Sequence, residues 1–252
     1  MTLPQMFRLD GKRALVTGAG RGLGARMASA LAAAGARVTL IARSGEEIEQ
    51  VRANIESDGG AAAIATLDVT QVAEVSAFFA ARSPFNVLVN NAGTNRPAPL
   101  VDTEDADIAE VFNLNVMAAF RMAREVARGL IAHQQPGSII NVSSQMGHVG
   151  SVNRTVYCAS KHAIEGMTKA LAWELGPHNI RVNTLCPTFI ETPLTAPMLA
   201  KPEFRDWVVS NIALNRVGRE DEVAGPVVFL ASDASSLMTG SALIVDGGWT
   251  AR

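Results

Sequence analysis

Cysteine is scarce: Cys158 and Cys186 are the only two in 252 residues. Two thiols cannot build a disulfide framework, and they suit a reducing compartment. No run of about 18 apolar residues occurs, so no membrane-spanning helix is expected. The opening stretch MTLPQMFRLDGK lacks the apolar core of a secretion signal, which leaves the cytoplasm as the expected location. Excess charge is missing too. The 22 Lys and Arg stand against 24 Asp and Glu, and the pI is near 6.1. A nucleic-acid surface, which needs clustered cations, is therefore not expected. His133, His148, His162 and His178 lack a His, Cys or acid at metal-ligand spacing, so no metal is expected either. What is abundant is apolar material, 48% of the chain and enough for a sizeable core.

Short β-branched runs alternate with longer Ala-rich stretches of helical period. Strands are expected at Arg13–Thr17, Arg37–Ala42, Ala61–Leu67, Asn86–Asn90, Ser138–Ser143, Arg181–Cys186 and Ala242–Val245. Helices are expected at Leu23–Ala34, Gly45–Ser57, Val72–Ala81, Asp105–Ala132, Thr155–Gly176 and Glu220–Ala231. Such alternation implies a parallel sheet covered by helices on both faces. No internal repeat or long Pro/Gly/Ser linker divides the chain, so residues 1–252 read as one domain. The irregular insert is Pro187–Pro202, with four prolines and no period. It reads as a lid over a site, taken as residues 187–213, or else as a long surface connection.

The first strand runs into TGAGRGLG, with Gly18, Gly20, Gly22 and Gly24, and a helix begins near Leu23. A strand, a glycine turn and a helix N-terminus make an anion site, because backbone N–H groups and the helix dipole point outward there. Glycines also let the backbone approach a pyrophosphate closely. A purely structural turn is the alternative. The second strand ends in LIARS, with Arg43 and no acid. An acid there binds ribose hydroxyls and repels a 2′-phosphate, whereas a base does the reverse. Arg43, with Arg21 in the glycine loop, therefore points to NADP(H). If Arg43 instead stacks on adenine or is merely solvated, NAD(H) is the cofactor.

The single tyrosine, Tyr157, stands in YCASK. On a helix, Tyr157 and Lys161 are four residues apart and share a face. A nearby ammonium in a partly dry site lowers a phenol's pKa, which is near 10 when unperturbed. A drop of two to three units takes roughly 3–4 kcal/mol. An ordinary helix surface is the plainer reading of that spacing. Upstream, INVSSQMG closes an apolar strand with Ser143 and Ser144, at the sheet edge where such folds bind ligands. A serine there can hydrogen-bond a substrate oxygen, or simply cap a turn.

Taken together, these motifs resemble the short-chain dehydrogenases/reductases of about 250 residues, over nearly the whole chain and in that family's order. TGAGRGLG resembles the family's cofactor loop, with Gly18, Gly20, Arg21, Gly22, Leu23 and Gly24. LDVT, with Asp68 and Val69, resembles the adenine-contacting segment, and NNAG, with Asn90, Ala92 and Gly93, the motif beside the cofactor. FNLNVMAAF places Asn115 at the structural and proton-relay asparagine. Ser144 has the family's spacing before Tyr157, and so is preferred to Ser143. In the segment that runs from Pro187 through Ile190 to Thr192, Thr192 matches the residue that holds the nicotinamide amide.

The resemblance implies a single doubly wound, Rossmann-type α/β domain with a seven-stranded parallel sheet. It implies Tyr157 as general acid in reduction and general base in oxidation. Lys161 would lower the tyrosine's pKa and bind the nicotinamide ribose, Ser144 would orient the carbonyl, and Asn115 would hold a relay water. The implied reaction is hydride transfer between NADP(H), or NAD(H), and a secondary alcohol or ketone. His148 and Arg154, between Ser144 and Tyr157, suit a polar or anionic substrate such as a sugar acid or hydroxy acid, or else both are simply solvent-exposed. A 3-oxoacyl thioester is the rival substrate, and a non-catalytic dinucleotide sensor the rival function. A homotetramer or homodimer is implied, packed through the helices bearing Asn115 and Tyr157 and the segment near Trp249. One departure stands out: Thr188 follows Pro187 where the family has glycine.

Overall fold

A computed structural model describes residues 2–80 and 82–251. Its strands are β1 (Arg13–Thr17), β2 (Arg37–Ala42), β3 (Ala61–Thr66), β4 (Val87–Asn90), β5 (Gly137–Val142), β6 (Ile180–Pro187), β7 (Ile190–Glu191), β8 (Gly218–Arg219) and β9 (Ala242–Val245). The helices are α1 (Leu3–Met6), α2 (Gly22–Ala33), α3 (Gly45–Ser57), α4 (Val72–Ala80), α5 (Asp105–Phe112), α6 (Ala119–Ala132), α7 (Thr155–Leu175), α8 (Ala196–Leu199), α9 (Pro202–Ser210) and α10 (Ala224–Ala231). The helix read through Ala81 is seen to residue 80, and residue 81 lies outside the described residues.

Seven strands form one parallel sheet in the order β3-β2-β1-β4-β5-β6-β9, and β7 pairs with β8 beside it. Alternate residues of each strand enter different cores. Val16, Leu40, Val89 and Ile140 pack with α2, α3 and α10, whereas Leu15, Ile41, Leu88 and Ile139 pack with α4, α6 and the end of α7. Both faces are apolar because both are covered, as parallel sheets require. The order turns back between β1 and β4. In an open sheet that reversal leaves a crevice at the strands' carboxyl ends, here Thr17 and Asn90.

Two stretches differ from the sequence reading. The helix expected over Asp105–Ala132 is interrupted by a π-helical turn, Asn113–Ala118. Periodicity cannot show such a turn, since it inserts a residue without breaking the apolar stripe. Its cause is tertiary: Asn115 is tied to Thr94 and Ser160. The 187–213 segment is not irregular. It holds β7, α8 and α9, whose Leu199, Val208 and Ile212 pack with Phe189, Met146, Cys158 and Trp249. Pro202 begins α9, where its missing N–H has no helical acceptor to lose.

Gly24 tests how closely the first turn of α2 meets the loop before it. A Cβ at Gly24 would lie 2.1 Å from the Gly18 carbonyl oxygen, a contact that only backbone movement relieves. Gly24→Ala is therefore expected to destabilise the chain by about 2–3 kcal/mol. Thermal melting should show a fall of roughly 5–10 °C in Tm, and an unchanged Tm would contradict this packing.

Candidate active site

The crevice at the switch point is lined first by glycine. Gly18 has φ +63°, and a Cβ there would meet the Ala92 backbone at 3.0 Å, so the loop sits directly against the end of β4. Asn91 holds the two together: its Nδ2 donates to the carbonyls of Thr17 and Gly18, each at 3.0 Å. The Thr17 hydroxyl accepts from the N–H groups of Asn91 and Ala92. Sequence reasoning passed over Asn91 and Thr17 as clamps, although both stand inside the motifs it used. The loop continues through Gly20, Arg21, Gly22 and Leu23 into α2, with its outward N–H groups. A Cβ on Gly22 would lie 3.6 Å from Thr192, so the 187–213 segment comes down beside this loop. Such a bare cradle at the N-terminus of a 12-residue helix fits a pyrophosphate.

The remaining residues expected on the nucleotide side are placed as follows. Arg43 follows β2, exposed and without a hydrogen-bond or ion-pair partner among the described residues. Ser44 caps α3 by accepting from the Glu47 N–H. Arg21 reaches Glu47 at 3.4 Å, an exposed pair that sequence reading did not anticipate. Asp68 accepts from the Thr70 N–H and hydroxyl, while Val69 is buried with the core of α4 and α6. Asn90 is buried and donates to Asn141 and to the Ala119 carbonyl. A Cβ on Gly93 would lie 3.2 Å from Asn115 Oδ1. Pro187 ends β6 against Val245, and Ile190 is buried in β7. The Thr188 N–H donates to Val245, but its hydroxyl is buried without a partner among the described residues.

Helix α7 carries the reactive groups on one stripe, because residues three and four apart share a face. Lys161, 5% exposed, donates to the Val142 carbonyl at 2.8 Å, and its Nζ lies 5.5 Å from the centre of the Tyr157 ring. Ser144, at the end of β5, donates to Gln145 Oε1 at 2.8 Å and accepts from the Met146 N–H. Nothing in the sequence singled out Gln145, whose amide nitrogen is buried without a partner among the described residues. Asn115 is fully engaged through its side chain: Oδ1 accepts from Thr94 N–H, and Nδ2 donates to the Thr94 carbonyl and Ser160. It anchors the π-helical turn.

Electrostatics correct one expectation. Desolvation pushes the Tyr157 phenol up to about 12, against the opposing pull of the nearby Ser144 hydroxyl and the Arg154 charge. Burial also presses the Lys161 ammonium down to about 8, with Cys186 and Glu165 pulling it back up. The pair alone therefore does not acidify the phenol. Desolvation disfavours each charged form more than the neighbours favour it.

Beneath Lys161 the fold assembles a cluster invisible to linear spacing. His148 Nε2 lies 3.4 Å from Glu165 Oε1, and Glu165 accepts from Thr184 at 3.0 Å and from the Cys186 thiol at 3.3 Å. His148, Glu165 and Cys186 place one ligand-type atom each within 4.8 Å of one another. Burial, then Glu165, hold the Cys186 thiol up at about 12, so it serves as a donor in this network. The network ties α7 to β6 and to the turn after Ser144. His148 thus turns to Glu165, while Arg154 stays beside Tyr157.

A glycine cradle at the switch point, beside a serine, a tyrosine and a buried lysine, defines an NAD(P)-dependent oxidoreductase. A family model described as enoyl-(acyl carrier protein) reductase matches residues 18–250. The chain is 37% identical over 254 residues to gluconate 5-dehydrogenase of Gluconobacter oxydans (strain 621H), covering 99% of each. It is 37% identical over 245 residues to L-xylulose reductase of Bos taurus, covering 97% of this chain and 99% of that one. A solved gluconate 5-dehydrogenase from Burkholderia cenocepacia J2315, in complex with NADP and tartrate, is 35% identical, with TM-score 0.94 and full coverage of both chains. The chain belongs to the short-chain dehydrogenase/reductase family, and it moves a hydride between a nicotinamide cofactor and a secondary alcohol or ketone.

The depressed lysine makes a pH-dependent prediction. With Lys161 near 8 in the folded chain and near 10.5 when unfolded, the unfolded state binds more protons between those values. Stability without cofactor therefore rises with pH from 8 to 9, by about 1.4 kcal/mol at most. Above pH 9 the raised Cys186 thiol works the other way, because the unfolded thiol loses its proton first. Urea unfolding at pH 8 and 9 should show the rise in wild type and flatten it in Lys161→Met. Equal slopes in the two proteins would contradict the assignment.

Proposed function

We propose that the chain reduces a ketone, or oxidises a secondary alcohol, on a sugar-derived or hydroxy-acid substrate, with NADP(H) preferred over NAD(H). The observation that carries this reading is the meeting of Ser144, Tyr157 and Lys161 at the carboxyl end of the sheet, with the Arg154 charge acting on the phenol. The named relatives act on polyhydroxy compounds, which supports the substrate class. Arg43, unpaired at the end of β2, supports NADP(H), since a 2′-phosphate would give it a partner. When bound, the nicotinamide supplies or accepts the hydride. Gly18, Gly20, Arg21, Gly22, Leu23 and Gly24 would hold the pyrophosphate side, Asp68 and Val69 the adenine side, and Asn90, Ala92, Gly93, Pro187, Ile190 and Thr192 the nicotinamide side.

Tyr157 gives its proton to the carbonyl oxygen in reduction and takes the alcohol's proton in oxidation. Ser144 hydrogen-bonds that oxygen and orients it. Lys161 holds positive charge beneath the phenol and binds the ribose, and Asn115 fixes the turn that completes the relay. Residues 187–213, carrying Thr192 and Met198, serve as the lid.

Both long helices at the site expose large apolar side chains, with Met117 and Phe120 near the π-helical turn and Trp173 on α7, 87% exposed. They support a homotetramer or homodimer built through these helices. Trp249 instead packs within its own chain against Phe189 and Trp207. Two free, buried cysteines accord with the cytoplasm.

Steady-state turnover with gluconate, glucitol, xylitol, L-xylulose and an acetoacetyl thioester, each with both cofactors, tests the reading. Polyhydroxy substrates should outperform the thioester, and the reverse would make 3-oxoacyl reduction the function. Tyr157→Phe should lower kcat/KM by about 10²–10⁴; equal rates would favour the dinucleotide sensor. Arg43→Ala should reduce kcat/KM for the NADP(H) reaction about tenfold, with a much smaller change for NAD(H). Light scattering should show an oligomer that Phe120→Asp weakens.

A further inference from the structure

Arg154 is 7% exposed, yet its guanidinium is almost unsatisfied. One terminal nitrogen donates only to the Met198 sulfur at 3.3 Å, and the other has no partner among the described residues. No carboxylate pairs with it among the described residues. The half-buried Arg181 is a contrast: its guanidinium donates to the carbonyls of Leu230, Ser232 and Met238. An arginine stays charged in a protein, and a buried charge without a counter-ion is costly. Such a group persists where a ligand supplies the counter-charge.

The position says which ligand. Arg154 is the N-cap residue of α7, three positions before Tyr157, and its charge acts on the phenol. Met198, the weak acceptor facing it, belongs to α8 in the 187–213 segment. The guanidinium therefore lies between the phenol and the proposed lid. A planar fork of donors pairs best with a carboxylate, which can take two parallel hydrogen bonds.

We propose that Arg154 is a specificity-determining residue that anchors a substrate carboxylate, so that the preferred substrate is an aldonic or other hydroxy acid rather than a neutral polyol or ketose. This rests on the polyhydroxy reading above and narrows it. His148 takes no part, being directed to Glu165. Arg154 also favours the ionised phenol, an effect common to every substrate. The discriminating quantity is therefore a ratio.

The test compares kcat/KM for gluconate with that for glucitol, which carries a hydroxymethyl group in place of the carboxylate, in wild type, Arg154→Gln and Arg154→Lys. Wild type should favour gluconate about 100-fold; Arg154→Gln should bring the ratio near one, mainly through KM, and Arg154→Lys should restore part of it. A ratio unchanged by Arg154→Gln, with both substrates falling together, would overturn the proposal. So would a wild-type preference for glucitol. In parallel, malonate is titrated against the NADP⁺ complex by thermal shift. Stabilisation of wild type but not of Arg154→Gln supports the anion anchor even where neither sugar compound turns over, which would count against the polyhydroxy reading alone. Turnover of both sugar compounds with equal malonate response in the two proteins would leave that reading standing and remove the anchor.

Discussion

The partly buried Tyr157 phenol and the buried Lys161 ammonium lie one helical turn apart, and desolvation works against the charge of each. Their opposed displacements, to about 12 and about 8, leave the phenol protonated and the lysine mostly charged at neutral pH in the isolated chain. The fold makes this arrangement persist. Lys161 is fixed to the Val142 carbonyl, and Ser144 is fixed by Gln145 and the Met146 N–H. In the proposed mechanism the phenol is the proton donor, and a further positive charge in the crevice would ease its ionisation.

The supporting shell follows from the same constraint. A buried lysine needs a polar floor, and Glu165 lies one turn further along α7, bonded to Thr184 and Cys186 on β6. On the opposite side, the π-helical turn lets Asn115 join Thr94 to Ser160 on α7. Helix α7 is thereby tied to the sheet and to its neighbouring helix by polar bonds, while its far end packs in the core of α4 and α6. Satisfied polar networks of this type position side chains more narrowly than apolar packing alone.

Much of this was legible in the sequence. The seven strands and the glycine loop follow from period and turn chemistry, because a parallel sheet covered on both faces leaves apolar runs between helical stretches. Tyr157 and Lys161 could be paired from their spacing on a helix. Other features depend on tertiary contacts that no window of sequence contains. The π-helical turn at Asn115 and the ordered helices after Pro187 are two of these. The partnership of His148 with Glu165 is a third, since it joins the turn after Ser144 directly to α7. The sign of the phenol's displacement was also out of reach. Spacing reveals the nearby cation, but only the fold reveals how dry the site is.

Because Tyr157 is the only tyrosine, phenolate absorbance near 295 nm reports its ionisation without interference from another phenol. The account predicts that the folded chain without cofactor shows less than about a tenth of its phenol ionised at pH 10.5, where an unperturbed tyrosine is mostly ionised. Saturation with NADP⁺ should bring the midpoint down by at least about two units. A midpoint near 10 that the cofactor does not move would contradict it.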